Sequence, residues 1–115
     1  MPTFIAQGRF TTDAVKGMMQ TPEDRTEPVT KLFQAFGGKL VSWYLTSGEY
    51  DWLLIVEAPN QEAILPAAMV AAGGGGVSDI KTFAAFNGQE AKAMFEKAGH
   101  AASQFKSAGR PAPST

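Results

Sequence analysis

The chain has 115 residues, a formal net charge of -1 and a hydrophobic content of 44%. This length fits one domain whose core can form without disulfides or a structural metal. Cysteine is absent and only one histidine is present. The composition therefore excludes thiolate chemistry and predicts neither a metal site nor a bound cofactor.

The charges also limit the classes of partner. Ten basic and eleven acidic residues are scattered without a basic block, so nucleic acid is not an expected partner. No apolar run approaches the roughly 20 residues that span a bilayer, and the N-terminus lacks a signal-peptide pattern. We expect a cytoplasmic protein without membrane contact.

A strand is predicted at residues 3–10, where apolar side chains alternate. One face of this strand carries Phe4, Ala6, Gly8 and Phe10. The other face carries Thr3, Ile5, Gln7 and Arg9. Residues 11–20 are predicted to form a short connector with one or two helical turns.

Proline sets the bounds of the next helix. Pro28 would cost about 3 kcal/mol inside a helix, so we expect a bend near Thr26 and a helix over about 28–36. Thr21 is a candidate for the cap of this region.

Two further strands, at 39–46 and 50–58, are separated by Ser47, Gly48 and Glu49. So short a connection predicts a hairpin, with Gly48 at a positive φ. Trp43 and Trp52 are expected to pack as a cross-strand pair rather than to form a substrate platform.

The second half of the chain predicts a helix over 60–72 with Asn60 as N-cap. Pro66 would make this helix short or kinked. A fourth strand follows at 77–86.

A last helix is predicted from 88 to about 106 with Asn87 as its cap, and a polar tail rich in Pro and Ser at 107–115. The expected domain organisation is therefore one domain over 1–106 plus this tail.

The order of elements predicts an α+β fold of the ferredoxin-like βαββαβ type, with a four-stranded antiparallel sheet and an added C-terminal helix. Right-handed crossovers place both main helices on one sheet face. The other face would present alternate residues of strands that contain Ile5, Val41, Trp43, Leu45 and the apolar run 52–56. This face predicts self-association, and replacing Trp43 or Leu45 by Asp is expected to disrupt it.

Asp51 is the candidate functional residue, because it opens a buried strand where a turn alone does not need an acid. Tyr44 and Tyr50 precede it in the chain, and Arg9 lies on the neighbouring strand. A carboxylate in such surroundings could act as a base or anchor a ligand. The alternative is that Asp51 pairs with Arg9 or with a backbone amide.

The stretch YLTSGEYDWLLIVEAP at 44–59, with Gly37-Gly38 before it and TFAAF at 82–86 after it, resembles the GYD domain family. The opening TFIAQGRFT and the PEDR at 22–25 resemble its members as well. The signature that names the family corresponds to Gly48, Tyr50 and Asp51. The resemblance implies a bacterial protein of the dimeric ferredoxin-like (α-β barrel) superfamily, and it implies no particular reaction.

Two functions follow as hypotheses. The first is a homo-oligomeric ligand-binding or assembly protein without catalysis, with a small molecule as a possible ligand. The alternative is a cofactor-independent oxygenase or isomerase, in which Asp51 acts as base while Tyr44, Tyr50 and Arg9 orient a substrate between sheet and helices.

Overall fold

A computed structural model describes residues 1–110 of the chain. These residues fall into two compact units, the first covering Met1–Ala85 and the second beginning at Phe86. The predicted domain 1–106 and tail 107–115 remain predictions, and residues 111–115 lie outside the described part of the chain.

The first unit is built on one antiparallel sheet. Its strands are β1 (Thr3–Phe10), β2 (Lys39–Leu45), β3 (Trp52–Glu57) and β4 (Val77–Ala85). Their order across the sheet is β2-β3-β1-β4, so β1 and β3 occupy the middle. This order, with helices between β1 and β2 and between β3 and β4, confirms the predicted ferredoxin-like α+β fold.

Three helices belong to this unit: α1 (Thr12–Gln20), α2 (Thr26–Gln34) and α3 (Gln61–Gly73). The connector predicted at 11–20 is thus a nine-residue helix. Thr11 caps it, since its side chain accepts a hydrogen bond from the Ala14 amide at 3.2 Å. The Thr11 hydroxyl also donates to the Gly75 carbonyl at 2.8 Å, which ties the start of α1 to the loop before β4.

The chain was predicted to bend near Thr26, before Pro28, and helix α2 begins at that residue. Pro28 lies in the first turn of α2, where a backbone N–H would have no helical partner and proline is tolerated. Thr21 ends α1 instead of capping α2, so that prediction was wrong. Asp24 accepts a hydrogen bond from the Thr26 amide at 2.9 Å, and this bond lowers the pKa of the Asp24 carboxyl.

Pro66 does not shorten α3. The helix runs through it over Gln61–Gly73, with Asn60 as the predicted N-cap accepting from the Ala63 amide at 3.0 Å. The free energy gained by burying Ile64 and Ala67, on either side of Pro66, outweighs the cost of a proline inside the helix.

The core lies between the sheet and these helices. It consists of nine buried residues: Phe4, Ala6, Phe33, Trp52, Leu54, Val56, Ala58, Ile64 and Ala67. The strand members alternate along β1 and β3, so they mark one inner face that the helices cover. The residues between them form the outer face.

A bulge in β2 changes which side chains face the core. Leu40 pairs with Val56, but Ser42 pairs with Ile55, and the register shifts between them. One extra residue reverses the alternation, so Trp43 pairs with Leu54 and lies on the inner face. Leu45 pairs with the core residue Trp52 and follows the same alternation. The prediction of Trp43 and Leu45 on the uncovered face was therefore wrong.

The same register separates the two tryptophans. Trp52 pairs with Leu45, two positions along β2 from Trp43, so the tryptophans are diagonal neighbours and not a directly opposed pair. The Trp43 ring lies 6.4 Å from that of Phe10, measured between centroids.

The second unit contains α4 (Gly88–Ala102). Asn87 caps it as predicted, and a full capping box forms: the Glu90 amide donates to the Asn87 side chain at 2.8 Å, while the Asn87 amide donates to the Glu90 side chain at 2.9 Å. Within residues 1–110, no helix has the length and apolarity needed to span a membrane.

Candidate functional site

The turn between β2 and β3, residues 46–51, carries the candidate residue Asp51. One carboxylate oxygen of Asp51 accepts a hydrogen bond from the Phe10 amide at 2.8 Å. The Asp51 amide donates to the Gly8 carbonyl at 2.8 Å, and its carbonyl accepts from the Thr46 amide at 2.8 Å. Asp51 therefore hydrogen-bonds the turn to the central strand β1. The sequence left open whether Asp51 pairs with Arg9 or with a backbone amide, and its carboxylate accepts from a backbone amide.

Gly48 does not have the predicted conformation. Its φ lies outside the left-handed region, and a Cβ built on it would meet nothing within 4 Å. The turn is instead closed by Thr46, whose hydroxyl donates to the Tyr50 carbonyl at 2.7 Å. A longer connection of residues 46–51 replaces the predicted three-residue one, so no tight positive-φ turn is required.

Arg9 and Tyr50 do come together. The Arg9 guanidinium carbon lies 5.6 Å from the centroid of the Tyr50 ring. Its nitrogens lie 3.6 Å from a Glu49 oxygen and 3.4 Å from an Asp79 oxygen. These partners are exposed, so each ion pair contributes at most about 1 kcal/mol.

Tyr44 lies on the edge strand β2. It pairs with Leu53 across β2 and β3 and lies on the outer face, with 54% of its surface exposed. The proposed roles of Asp51, Tyr44, Tyr50 and Arg9 in catalysis remain predictions.

A cavity of about 430 Å³ lies on the opposite side of the sheet, between the inner face and helices α2 and α3. None of the four candidate residues is among its lining residues. Trp43, Trp52 and Phe10 are, together with apolar side chains of both helices. A substrate in this cavity would therefore not contact the Asp51 group that the sequence proposed as base and orienting residues.

The outer face is organised in rows by the strand register. Its central row contains Ser42, Ile55, Ile5 and Phe83, since Ile55 pairs with Ser42 and Ile5, and Ile5 pairs with Phe83. The next row contains Tyr44, Leu53, Gln7 and Lys81. The row on the other side contains Lys39, Glu57, Thr3 and Ala85. The middle of the outer face is therefore apolar, and each flanking row carries polar or charged residues.

A close contact between Gly8 and Trp52 on the inner face was not predicted from the sequence. A Cβ on Gly8 would lie 2.5 Å from Trp52 Cζ2 and 3.0 Å from the Ser78 carbonyl oxygen. The Trp52 ring thus lies directly over the Gly8 backbone. A glycine in the middle of a strand is a signal of such an approach, and it was present in the sequence.

Comparison with known proteins places the chain in a family. The sequence model of the GYD domain matches residues 4–95. A Thermus thermophilus protein named glutamine synthetase and cystathionine beta-lyase binding protein is 32% identical over 80 residues, which cover 70% of this chain and 84% of that protein.

Two solved structures are similar to the chain. A crystal structure of a Thermus thermophilus protein has a TM-score of 0.48 at 17% identity, covering 76% of this chain and 95% of the other. The crystal structure of an FFRP protein has a TM-score of 0.45 at 14% identity, covering 75% and 100%. The family match spans most of the chain and includes the turn with Gly48, Tyr50 and Asp51, so this protein belongs to the GYD domain family.

Proposed function

We propose that this protein is a non-catalytic protein-binding module that assembles as a homodimer through the outer face of its sheet. The observation that carries the proposal is the row Ile55, Ile5 and Phe83 at the centre of that face. The protein-binding part of the proposal is supported by the Thermus thermophilus relative, whose name describes binding to two metabolic enzymes.

The outer face leaves large apolar side chains in contact with water within the first unit. Phe83 is 42% exposed, while Ile5, Leu53 and Ile55 are half-buried. Burying a large apolar side chain is worth about 1.5–3 kcal/mol relative to leaving it exposed. Several such residues together are comparable with the whole stability of a small domain, about 5–15 kcal/mol.

A second copy of the chain is the occupant that fits this face best. Strands β1 and β3 are paired on both sides, so the face can be covered only by another layer. Two sheets stack face to face about 10 Å apart with their side chains interdigitated. An identical sheet presents an equal area with the same apolar centre and polar surround, which a two-fold axis can match to itself.

Sedimentation velocity at micromolar concentration tests the assembly. The wild-type chain is expected to sediment as a dimer, while Phe83→Lys and Leu53→Lys shift it to monomer because each buries a charge at the sheet interface. Met19→Lys is the matched control, since Met19 is 69% exposed on α1. A monomeric wild type, or dissociation by Met19→Lys alone, would contradict the proposal.

Binding to enzymes is tested separately by biolayer interferometry with immobilised glutamine synthetase and cystathionine beta-lyase. We expect saturable binding of the wild-type chain to at least one of them, with Met19→Lys binding equally well. No binding to either enzyme would remove the inferred protein-binding role while leaving the dimer untouched. Binding that persists in the Phe83→Lys monomer would place the enzyme contact away from the outer face.

A further inference from the structure

Both asparagines of the chain cap a helix. Asn60 precedes α3 and Asn87 precedes α4, and each side chain accepts a hydrogen bond from the backbone amide three residues later. The backbone ψ is 176° at both positions. The residue that follows differs, since Gln61 follows Asn60 and Gly88 follows Asn87. The two sites therefore present the same side-chain amide in a similar cap, next to a different backbone nitrogen.

An asparagine side chain can react with the backbone that follows it. At Asn87 the Gly88 nitrogen attacks the side-chain carbon Cγ, the bond between Cγ and Nδ2 breaks, and the amide nitrogen leaves as ammonia with the proton of the Gly88 N–H. The product is a cyclic succinimide. A water molecule then opens the ring at either carbonyl and gives aspartate or isoaspartate. Water is the only other reactant that this step consumes.

Gly88 is suited to this attack. It has no Cβ, so its nitrogen is less hindered and its backbone is freer to move than that of other residues. It is the first residue of α4, where the N–H has no partner within the helix. Asn87 and Gly88 are exposed, and a Cβ built on Gly88 would meet nothing within 4 Å. Neither packing nor a helical hydrogen bond therefore blocks this nitrogen.

The cap itself controls access to the reaction. While the Glu90 amide donates to the Asn87 side chain at 2.8 Å, the side-chain carbonyl is held toward α4, so the cap must open before Gly88 can attack. No residue of α4 is buried, whereas Ile64 and Ala67 hold α3 in the core. Segments with few buried contacts open at a low free energy. The first turn of α4 therefore releases its asparagine more often than the first turn of α3.

We propose that Asn87 is a site of spontaneous deamidation, in which the Gly88 nitrogen attacks the Asn87 side chain when the first turn of α4 opens, and that Asn60 is spared. The two products affect α4 differently. Aspartate keeps a capping oxygen and places a negative charge at the positive end of the helix, which is favourable. Isoaspartate carries the main chain through the former side-chain carbon and adds a methylene to the backbone, so the capping box no longer fits. This modification does not depend on the proposed dimer or on its enzyme partners.

The wild-type chain contains its own control. The full-length protein is incubated in mildly alkaline buffer, and its peptides are mapped by mass spectrometry over time, since each event replaces an amide NH2 by OH and raises the mass of one peptide. We expect the peptide with Asn87 to convert about tenfold faster than the peptide with Asn60, a ratio that corresponds to about 1.4 kcal/mol between the two barriers. Equal rates at the two positions would overturn the proposal.

Two variants separate the attacking nitrogen from the cap. Gly88→Gln gives Asn87 the same following residue as Asn60 and is expected to slow its conversion several-fold. Glu90→Ala removes the side-chain acceptor of the Asn87 amide, a bond of 2.9 Å, and is expected to speed conversion about five-fold, the effect of losing one capping hydrogen bond. Gln89→Ala is the control, because Gln89 is exposed and outside the capping box. An unchanged rate in Gly88→Gln would contradict attack by this nitrogen, and an unchanged rate in Glu90→Ala would contradict control by the cap.

The effect on α4 is measured on the products. The aspartate and isoaspartate forms are separated by chromatography, and amide hydrogen exchange is followed in the first turn of α4. Faster exchange is expected in the isoaspartate form alone. Equal exchange in both forms and in the unmodified protein would overturn the inference that deamidation weakens this helix.

Discussion

Asp51 connects the 46–51 turn to the central strand through hydrogen bonds at both its side chain and its backbone. Its carboxylate satisfies the Phe10 amide at the end of β1, where the ladder to β3 has already ended at the Gly8–Trp52 pair. The acid at this position is therefore explained by the Phe10 amide, which needs an acceptor. The nearby Gly48 has no such structural explanation, since a Cβ built on it would meet nothing within 4 Å.

The first prediction compares these two residues. Asp51→Ala is expected to destabilise by about 1–3 kcal/mol, because it leaves the half-buried Phe10 amide without an acceptor. Asp51→Asn retains an acceptor oxygen and should cost less. Gly48→Ala is expected to stay within about 0.5 kcal/mol of wild type. Urea denaturation measures all three, and a larger loss for Gly48→Ala than for Asp51→Ala would contradict this account of the turn.

A second prediction at the residue scale concerns Gly8. Gly8→Ala places a Cβ 2.5 Å from the Trp52 ring and 3.0 Å from a backbone oxygen, so we expect a loss of about 1–3 kcal/mol from overpacking. Gly17→Ala is the control, because Gly17 lies in α1 with nothing within 4 Å. That change should stabilise by about 0.5–1 kcal/mol.

Near-UV circular dichroism distinguishes this mechanism from a general backbone effect. The Trp52 signal is expected to change in Gly8→Ala, where the ring must move, and to remain unchanged in Gly17→Ala. A Gly8→Ala variant with wild-type stability and an unaltered aromatic spectrum would show that the ring is free to shift away.

At the scale of elements, the sequence predicted the strands, the two main helices and their order because alternation and helical spacing are local signals. It did not predict the bulge in β2. The apolar alternation of Val41, Trp43 and Leu45 continues without interruption through the bulge, and only pairing with β3 reveals that Trp43 turns inward. The contacts of Arg9 and Asp51 could not be predicted either, because they depend on neighbours that are distant in sequence.

The third prediction concerns α4 as an element of its own. Asn87→Ala removes half of the capping box and leaves the Glu90 amide without its acceptor, so the first turn of α4 should lose about 1 kcal/mol. Amide hydrogen exchange is expected to accelerate about five-fold in this turn while that of β1 and β3 stays unchanged. Gln89→Ala is the control. Equal acceleration in both variants would show that the cap does not hold the helix.

At the scale of the whole molecule, the two faces of the sheet differ in what covers them. The inner face is covered by α2 and α3, which leave a cavity, and the outer face has an apolar row centred on Ile5 that these helices do not reach. The cavity on one side and the proposed assembly surface on the other therefore use different residues of the same strands. Variants of Phe83 should leave the cavity intact, and Ala68→Leu, at a residue that lines the cavity, should leave the dimer intact.

The last prediction follows from assembly. If the native state is a dimer, its melting temperature must rise with protein concentration, because dilution favours unfolding to two separate chains. A tenfold increase in concentration stabilises the dimer by about 1.4 kcal/mol, which corresponds to roughly 3–5 °C for a dimer of this size. Calorimetry over a hundredfold range of concentration measures the shift. The melting temperature of Phe83→Lys is expected to be lower and independent of concentration, whereas Met19→Lys should retain the wild-type slope. A wild-type melting temperature that does not change over this range would mean that the outer face remains in water in the native protein.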